Sequence, residues 1–143
     1  MPTCVKKVTA FKMTVDDRVG ALADVAGQAA NEGINFIGFV GYPTAPGKAE
    51  LVGIPENPDK VRQVLPMSGM AVESSEAIYI TGDDQVGAMA GIAGKLAAAG
   101  INIRGATGMT VEGKYAFWLY VAPEDVDKAC DVLAGGCCCD RSK

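Results

Sequence analysis

Two short turns carry the residues that could bind a ligand: Asp17-Arg18-Val19-Gly20-Ala21-Leu22 and Asp84-Gln85-Val86-Gly87-Ala88-Met89. Each places an acidic residue three positions before a glycine, at the start of a segment with helical periodicity. The first turn of a helix leaves backbone N–H groups without acceptors, and a glycine lets another molecule approach them closely. Such a turn can bind an anion, for example an α-carboxylate. The alternative, that each glycine only packs its helix against a strand, stays open on the residues alone.

Paired carboxylates precede both turns, as Asp16-Asp17 and Asp83-Asp84. They could act as general acid and base or bind a hard cation. We favour a helix-starting role, because Asp is a preferred N-cap and is stabilised by the positive end of the helix dipole. The chain has no histidine and no G-x-x-x-x-G-K-[ST] loop. We therefore expect no catalytic residues, no metal site and no cofactor.

Charge and composition limit the partners. The 143 residues include 13 Lys and Arg against 17 Asp and Glu, for a net charge of −4, with 1 Trp, 4 Tyr and 4 Phe. Such a chain lacks the basic field and the stacking surface that nucleic acids require. Residues 86–103 are the longest apolar stretch, but Lys95 interrupts them, and residues 1–13 have no signal-peptide core. We expect a cytoplasmic protein with no nucleic-acid partner and no membrane partner.

An internal repeat organises the chain. A shift of 67 residues superimposes positions 16–38 on 83–105 with 13 identities in 23 positions. The repeat includes Gly33-Ile34-Asn35 and Gly100-Ile101-Asn102, each placed just after a helix. We therefore predict two domains, residues 1–75 and residues 76–143.

Each repeat has the pattern of a strand, a helix, a hairpin, a second helix and a final strand. The helices that follow the turns carry apolar stripes, Leu22, Val25, Ala26 and Ala29 in one and Met89, Ile92, Ala93 and Leu96 in the other. We expect the helical glycines Gly27, Gly91 and Gly94 to be close-packing contacts. The order predicts an α+β protein of two ferredoxin-like βαββαβ repeats, packed as an intramolecular pseudo-dimer with antiparallel sheets and helices on one face.

The last strand of the second repeat is predicted at residues 137–141 and is short and rich in cysteine. Cys137-Cys138-Cys139 could form a thiol switch or bind a soft metal, but adjacent residues of a strand point to opposite faces. We favour the interpretation that they are small hydrophobic residues of an edge strand. The five cysteines indicate no paired disulfide framework.

The Asp-x-x-Gly-Ala-Leu-Ala turn, the Gly-Ile-Asn after the helix and the βαββαβ order together resemble the ACT domain, a regulatory amino-acid-binding family. The resemblance covers nearly the whole chain as a tandem pair. It implies that backbone N–H groups of residues 17–22 and 84–89 bind the carboxylate of an amino acid, that Asp17 and Asp84 suit its ammonium group, and that Asn35 and Asn102 reach a ligand between neighbouring domains. Val19 and Val86 stand where the family often has proline.

We therefore expect a non-catalytic regulatory protein that binds a small amino acid. The alternative is a regulatory subunit of an amino-acid biosynthetic enzyme that acts by stable contact with that enzyme. Residues 115–121 are apolar on both faces of a predicted strand, so one face needs cover from the other repeat or a second chain. This pattern predicts a homodimer.

Overall fold

The computed structural model of the chain describes residue 2, residues 4–64 and residues 71–134. The predicted strand at residues 137–141 lies outside these ranges. The strands are β1 (Cys4–Asp16), β2 (Phe36–Ala45), β3 (Lys48–Pro55), β4 (Ala71–Asp83), β5 (Gly105–Val111) and β6 (Lys114–Tyr120). The helices are α1 (Ala21–Asn31), α2 (Pro58–Val64), α3 (Ala88–Ala98) and α4 (Val126–Ala134), and a 3₁₀ turn spans Pro123–Asp125. The α+β class and the two ferredoxin-like repeats are confirmed.

The chain divides into two compact units. The first unit is formed by residues 9–75, and the second by residues 1–8 together with residues 76–143. Strands β1 and β4 therefore each contribute one part to one unit and the rest to the other. The sequence boundaries of 1–75 and 76–143 placed residues 1–8 in the first repeat, whereas the structure groups them with the second unit.

The first unit has the strand order β2-β3-β1-β4, with antiparallel pairing of β1 with β3 and of β2 with β3. Its fourth strand is the part of β4 that precedes residue 76. Met13, Val25 and Leu51 form a small buried cluster on which Val72 packs from that strand. Helix α1 contributes only Val25 as a buried side chain, and Leu22 is 53% exposed, so its predicted apolar stripe is only partly buried.

The second unit has the strand order β5-β6-β4-β1, and its fourth strand is residues 4–8 of β1. Val5 is completely buried in the core of this unit, together with Ile78, Ile80 and Leu119. Helix α3 buries Ile92 and Leu96, as its apolar stripe predicts. Strand β6 buries Tyr115, Phe117 and Leu119 on one face, whereas on the other face Trp118 is buried and Ala116 and Tyr120 are partly exposed. Cys130 of α4 is disulfide-bonded, which the sequence did not predict.

Helices α1 and α3 end in the same way, at the predicted glycines. Gly33 and Gly100 have φ values of 68° and 75°, in the left-handed region that glycine adopts at low cost. The Ile34 N–H donates to the Ala29 carbonyl at 2.8 Å, and the Ile101 N–H donates to the Leu96 carbonyl at 2.9 Å. This hydrogen bond marks a Schellman motif, which satisfies the last carbonyls of each helix.

Candidate functional site

The two candidate turns have the same backbone geometry. Gly20 (φ 89°, ψ −5°) and Gly87 (φ 89°, ψ 2°) are the N-cap residues of α1 and α3, and neither helix has a side-chain cap. The expectation that the paired aspartates cap these helices is therefore wrong. The caps lie three residues beyond Asp17 and Asp84, and a left-handed backbone at the cap favours glycine over any residue with a Cβ.

Most backbone N–H groups of both turns are available to a ligand. The Ala21 N–H donates to the Arg18 carbonyl at 3.2 Å, and the Ala88 N–H donates to the Gln85 carbonyl at 3.1 Å. The other N–H groups at the two helix starts have no acceptor among the residues that the structure describes; they belong to Val19, Gly20 and Leu22 and to Val86, Gly87 and Met89. Unpaired N–H groups at the positive end of a helix can bind an anion.

Each turn is held by the hairpin of its own unit. The Asp17 N–H donates to the Gly47 carbonyl at 3.0 Å, and the Asp84 N–H donates to the Gly113 carbonyl at 2.8 Å. The side chain of the preceding aspartate binds a lysine of the same hairpin, Asp16 with Lys48 at 2.7 Å and Asp83 with Lys114. Sequence reasoning missed these lysines, although each begins the second strand of a hairpin in both repeats.

These lysines set the charge of one carboxylate in each acidic pair. The hydrogen bond and the positive charge of Lys48 hold the pKa of Asp16 below its usual value of 3.8, and Lys114 does the same for Asp83. The second carboxylate of each pair, on Asp17 and Asp84, is exposed and makes no side-chain hydrogen bond or ion pair within the described residues. Each turn thus leaves one carboxylate available beside its unpaired N–H groups.

The side chains around the two turns differ. Arg18 forms an ion pair with Asp24 of α1 and donates a hydrogen bond to the Val19 carbonyl at 3.2 Å. It does not bind Asp17. The guanidinium lies 3.6 Å from the position that a Cβ on Gly20 would occupy, whereas no atom of the described residues lies within 4 Å of the equivalent position on Gly87. The first turn is therefore partly covered, and the second is open.

The second turn also lacks a competing carboxylate. Asp24 lies in the first turn of α1, and α3 has no acidic residue in its first turn. Gln85 and Gly91 take the positions of Arg18 and Asp24 in the repeat. In both units the tip of the turn is fully exposed, at Val19 and at Val86. A ligand bound at either turn would need further cover from a neighbouring molecule or domain.

The asparagines lie far from the turns of their own units. Asn35 and Asn102 follow the C-terminal ends of 11-residue helices, about 16 Å in length from the helix starts. Asn35 donates a side-chain hydrogen bond to Glu56 at 3.0 Å, and the Glu56 N–H donates to its carbonyl at 2.8 Å. Asn102 is exposed and makes no side-chain hydrogen bond within the described ranges. The structure does not bring either asparagine to the turn of its own unit.

Among the described residues, no group of three or more cysteine, aspartate or glutamate side chains is placed to hold a metal ion. No helix in this part of the chain is long and apolar enough to cross a membrane.

The second candidate turn lies in a segment that is similar to a known family. Residues 77–129 match the sequence profile of the ACT domain, and this segment includes the turn at 84–89 and Asn102. The matched segment is about a third of the chain, so the tandem arrangement predicted from the repeat is not established by this match. No curated protein matches the sequence.

Solved structures share the fold over nearly the whole chain. Protein BT0572 from Bacteroides thetaiotaomicron has a TM-score of 0.80 at 22% identity, with 90% of this chain and 88% of that chain covered. The ligand-free regulatory subunit of aspartate kinase from Thermus thermophilus has a TM-score of 0.65 at 15% identity, covering 94% and 97%. The corresponding subunit from Thermus flavus has a TM-score of 0.57 at 18% identity, covering 90% and 92%. At these identities the likeness is one of fold.

Proposed function

We propose that this protein is a non-catalytic regulatory protein of the cytoplasm that binds a small amino acid at its strand–helix turns. The observation that carries the proposal is the turn at residues 84–89, which combines unpaired N–H groups at a helix start with an exposed carboxylate. An amino acid is a zwitterion, so its site needs N–H donors for the carboxylate and a carboxylate for the ammonium group. The same turn lies within the segment that matches the ACT domain.

In this proposal the carboxylate of the amino acid accepts hydrogen bonds from the N–H groups of Val86, Gly87 and Met89, and its ammonium group lies near Asp84. The equivalent groups of the first turn are those of Val19, Gly20 and Leu22, with Asp17. Asn35 or Asn102, supplied by a neighbouring ACT-like domain, completes a site. The exposure of both turns favours this arrangement, because a ligand in bulk water would gain little from hydrogen bonds alone.

We rank the second turn above the first. At the first turn, Arg18 occupies the space beside Gly20 and is held there by its ion pair with Asp24. Neither group has a charged counterpart at the second turn.

The alternative function is that of a regulatory subunit bound to a biosynthetic enzyme. Its support is the coverage of the match to the Thermus thermophilus subunit, which spans 94% of this chain and 97% of that one. Native mass measurement in an extract of the source cells separates the two functions. A large complex with a second polypeptide supports the subunit, and a complex of this chain only supports the free-standing protein.

The binding proposal is tested by thermal shift with each of the twenty amino acids. A ligand at 100 times its Kd stabilises the folded protein by about 2.7 kcal/mol. The matched variants Ala90→Glu and Ala23→Glu place a carboxylate at the third residue of α3 and of α1, both exposed positions. Glutamate there suits the helix dipole, so each variant folds, but it competes with the ligand carboxylate. We expect Ala90→Glu to weaken binding about tenfold or more and Ala23→Glu to have less effect. Unchanged affinity in both variants would place the ligand elsewhere.

A further inference from the structure

The disulfide of Cys130 lies in the core of the second unit. Cys130 belongs to α4 and is only 1% exposed. It shares a buried cluster with Val126 and Leu133 of the same helix and with Leu96 of α3. The structure contains one chain, so the partner sulfur belongs to the same polypeptide.

The first unit has no sulfur at the matching position. Residues 123–133 repeat residues 55–65 with a shift of 68, so Arg62 of α2 corresponds to Cys130. Arg62 is exposed, forms an ion pair with Asp59 at 2.9 Å and lies 5.8 Å from the centre of the Phe11 ring. A buried cysteine thus stands where the first unit has an exposed cation. The disulfide is a property of the second unit and not of the repeated fold.

The cysteines nearest to Cys130 in sequence are the run Cys137-Cys138-Cys139. The run lies outside the described residues, and its distance from Cys130 along the chain is known from the sequence. Its sulfurs are seven to nine residues away, and the entropy lost in closing a loop grows with the length of the loop. This spacing favours a partner within the run.

We propose that Cys130 and one cysteine of this run form a reversible disulfide, which exchanges with a small disulfide such as oxidised glutathione. Disulfides of cytoplasmic proteins are rare, and those that occur are usually transient and act in catalysis or redox sensing. The proposal therefore rests on the proposed location in the cytoplasm and not on amino-acid binding. A disulfide that closes a short loop also stabilises the fold less than one that closes a long loop, which makes it easier to reduce.

The burial of Cys130 sets the order of the exchange. A thiolate of the run attacks one sulfur of oxidised glutathione and releases the first glutathione. The Cys130 thiolate then attacks the run sulfur of this mixed disulfide, forms the internal bond and releases the second glutathione. The two protein thiols give up two electrons and two protons, and oxidised glutathione becomes two molecules of reduced glutathione. Cys130 acts second because glutathione cannot reach a sulfur in the core.

Helix α4 connects this bond to the other elements of the second unit. Asp127 forms an ion pair with Lys7 of β1 at 3.0 Å, and the Lys128 ammonium donates to the Ala99 carbonyl at the end of α3 at 2.9 Å. Reduction of the disulfide removes a covalent restraint from the helix that carries both contacts. We therefore expect reduction to destabilise the second unit and to leave the first unit unchanged.

Digestion with endoproteinase Asp-N tests the bond directly, because cleavage before Asp127, Asp131 and Asp140 separates Cys130 from the run. The full chain is first treated with oxidised glutathione. We expect mass spectrometry without a reductant to find peptide 127–130 joined to peptide 131–139, and to find the two apart after treatment with reduced glutathione. If peptide 127–130 is alone after oxidation, or joined to a different peptide, the pairing is overturned. A bond that persists in a large excess of reduced glutathione overturns its reversibility.

Thermal unfolding of matched variants tests the effect on stability. Oxidation should raise the Tm of the unaltered protein by about 5 °C or more. The triple variant Cys137→Ala/Cys138→Ala/Cys139→Ala keeps the buried Cys130 and should lose this rise, whereas Cys4→Ala removes a cysteine outside the proposed pair and should retain it.

Hydrogen exchange of the same samples shows which unit responds. The amides of α4 should exchange faster after reduction, and those of α2, which has Arg62 at the matching position, should not change. Equal Tm values in the oxidised and reduced protein, or equal acceleration in both helices, overturn the effect on the second unit. The digestion reports the bond without any amino acid present, so its failure is distinguished from failure of ligand binding.

Discussion

The two units share one order of elements but obtain the fourth strand of the sheet from different parts of the chain. The first unit uses the start of β4, which follows α2 in sequence, whereas the second unit uses residues 4–8. Val5 is completely buried in the second unit, and Val72, in the corresponding strand of the first, is partly buried. The difference shows that a repeat in sequence need not be a unit of folding, because the second core includes the first strand of the chain.

The two candidate turns share their backbone conformation and differ in their side chains. Gly20 and Gly87 adopt the same left-handed conformation, and each turn is bound by its own hairpin. The Arg18–Asp24 pair is present beside only one of them. Two turns with the same backbone conformation and different neighbouring charges are expected to bind a ligand in the same geometry but with different affinities.

The largest loss of stability should come from a substitution in residues 4–8, which form the fourth strand of the second unit. Val5→Asp places a carboxylate in a dry core and should lower the free energy of unfolding by about 3 kcal/mol or more. Val72→Asp leaves its carboxylate partly in water and should cost about 1 kcal/mol. Urea denaturation followed by circular dichroism gives both values. If both variants lower the free energy of unfolding equally, residues 4–8 stabilise the second unit no more than β4 stabilises the first.

The next effect concerns the backbone that the turns share. Gly20→Val and Gly87→Val each force a β-branched residue to a φ of 89° and should each cost about 1–3 kcal/mol. A valine at either glycine would therefore lower the stability of the fold as well as block a ligand, so the binding test above uses Ala23 and Ala90 instead.

Helical glycines provide the matched control for this prediction. Within the part of the chain that the structure describes, nothing lies within 4 Å of a Cβ placed on Gly27, Gly91 or Gly94, so the expectation that they are close-packing contacts is wrong. Gly27→Ala and Gly94→Ala should each stabilise the protein by about 0.5–1 kcal/mol, because alanine loses less backbone entropy in a helix. If Gly27→Ala and Gly94→Ala both lower the stability, these glycines do make close packing contacts. If Gly20→Val or Gly87→Val raises the stability, the left-handed backbone of the turns does not require glycine.

The sequence predicted the features that depend on local pattern. The 67-residue repeat predicted the order of elements, the helices end at the glycines that follow them in both repeats, and the apolar stripe of α3 is buried. The stripe of α1 has the same spacing but remains largely exposed, because burial depends on what packs against a helix rather than on its periodicity. Leu22 shows this difference, since it is 53% exposed at the position where Met89 packs on a core.

Contacts between distant residues could not be read from the pattern. Nothing in the residue types of 4–8 says that they complete the second unit, because a strand of alternating polarity can pair with either sheet. Arg18 had two acids nearer in sequence, Asp16 and Asp17, yet it binds Asp24 one turn into the helix. Such choices follow from three-dimensional geometry, which sequence spacing alone does not specify.

A smaller effect is expected at the other end of the same helices. The Lys128 ammonium donates to the Ala99 carbonyl at 2.9 Å, and Lys60, its counterpart in the first repeat, lies 3.5 Å from the Gly33 carbonyl. A cation at a helix C-terminus stabilises by about 0.3–1 kcal/mol. Lys128→Met keeps the apolar stem and should cost more than Lys60→Met, because the shorter hydrogen bond is the stronger one. Thermal unfolding compares the two, and a larger loss from Lys60→Met would reverse this ranking of the contacts.

The smallest effect tests a feature that the repeats have in common, the aspartate–lysine pair beside each turn. Because Lys48 and Lys114 lower the pKa of Asp16 and Asp83, each ionised carboxylate stabilises the folded state above its usual pKa of 3.8. That contribution is lost as the pH falls through the lower, folded-state pKa. Asp16→Asn and Asp83→Asn should therefore unfold at slightly lower temperature than the parent protein at pH 7 and should match it in strong acid. Both pairs are exposed, so salt should reduce the difference at pH 7. If the unfolding temperatures of the two variants instead depend on pH in different ways, the two aspartate–lysine pairs do not stabilise their turns equally. The same backbone conformation would then be held by different electrostatic interactions in the two units.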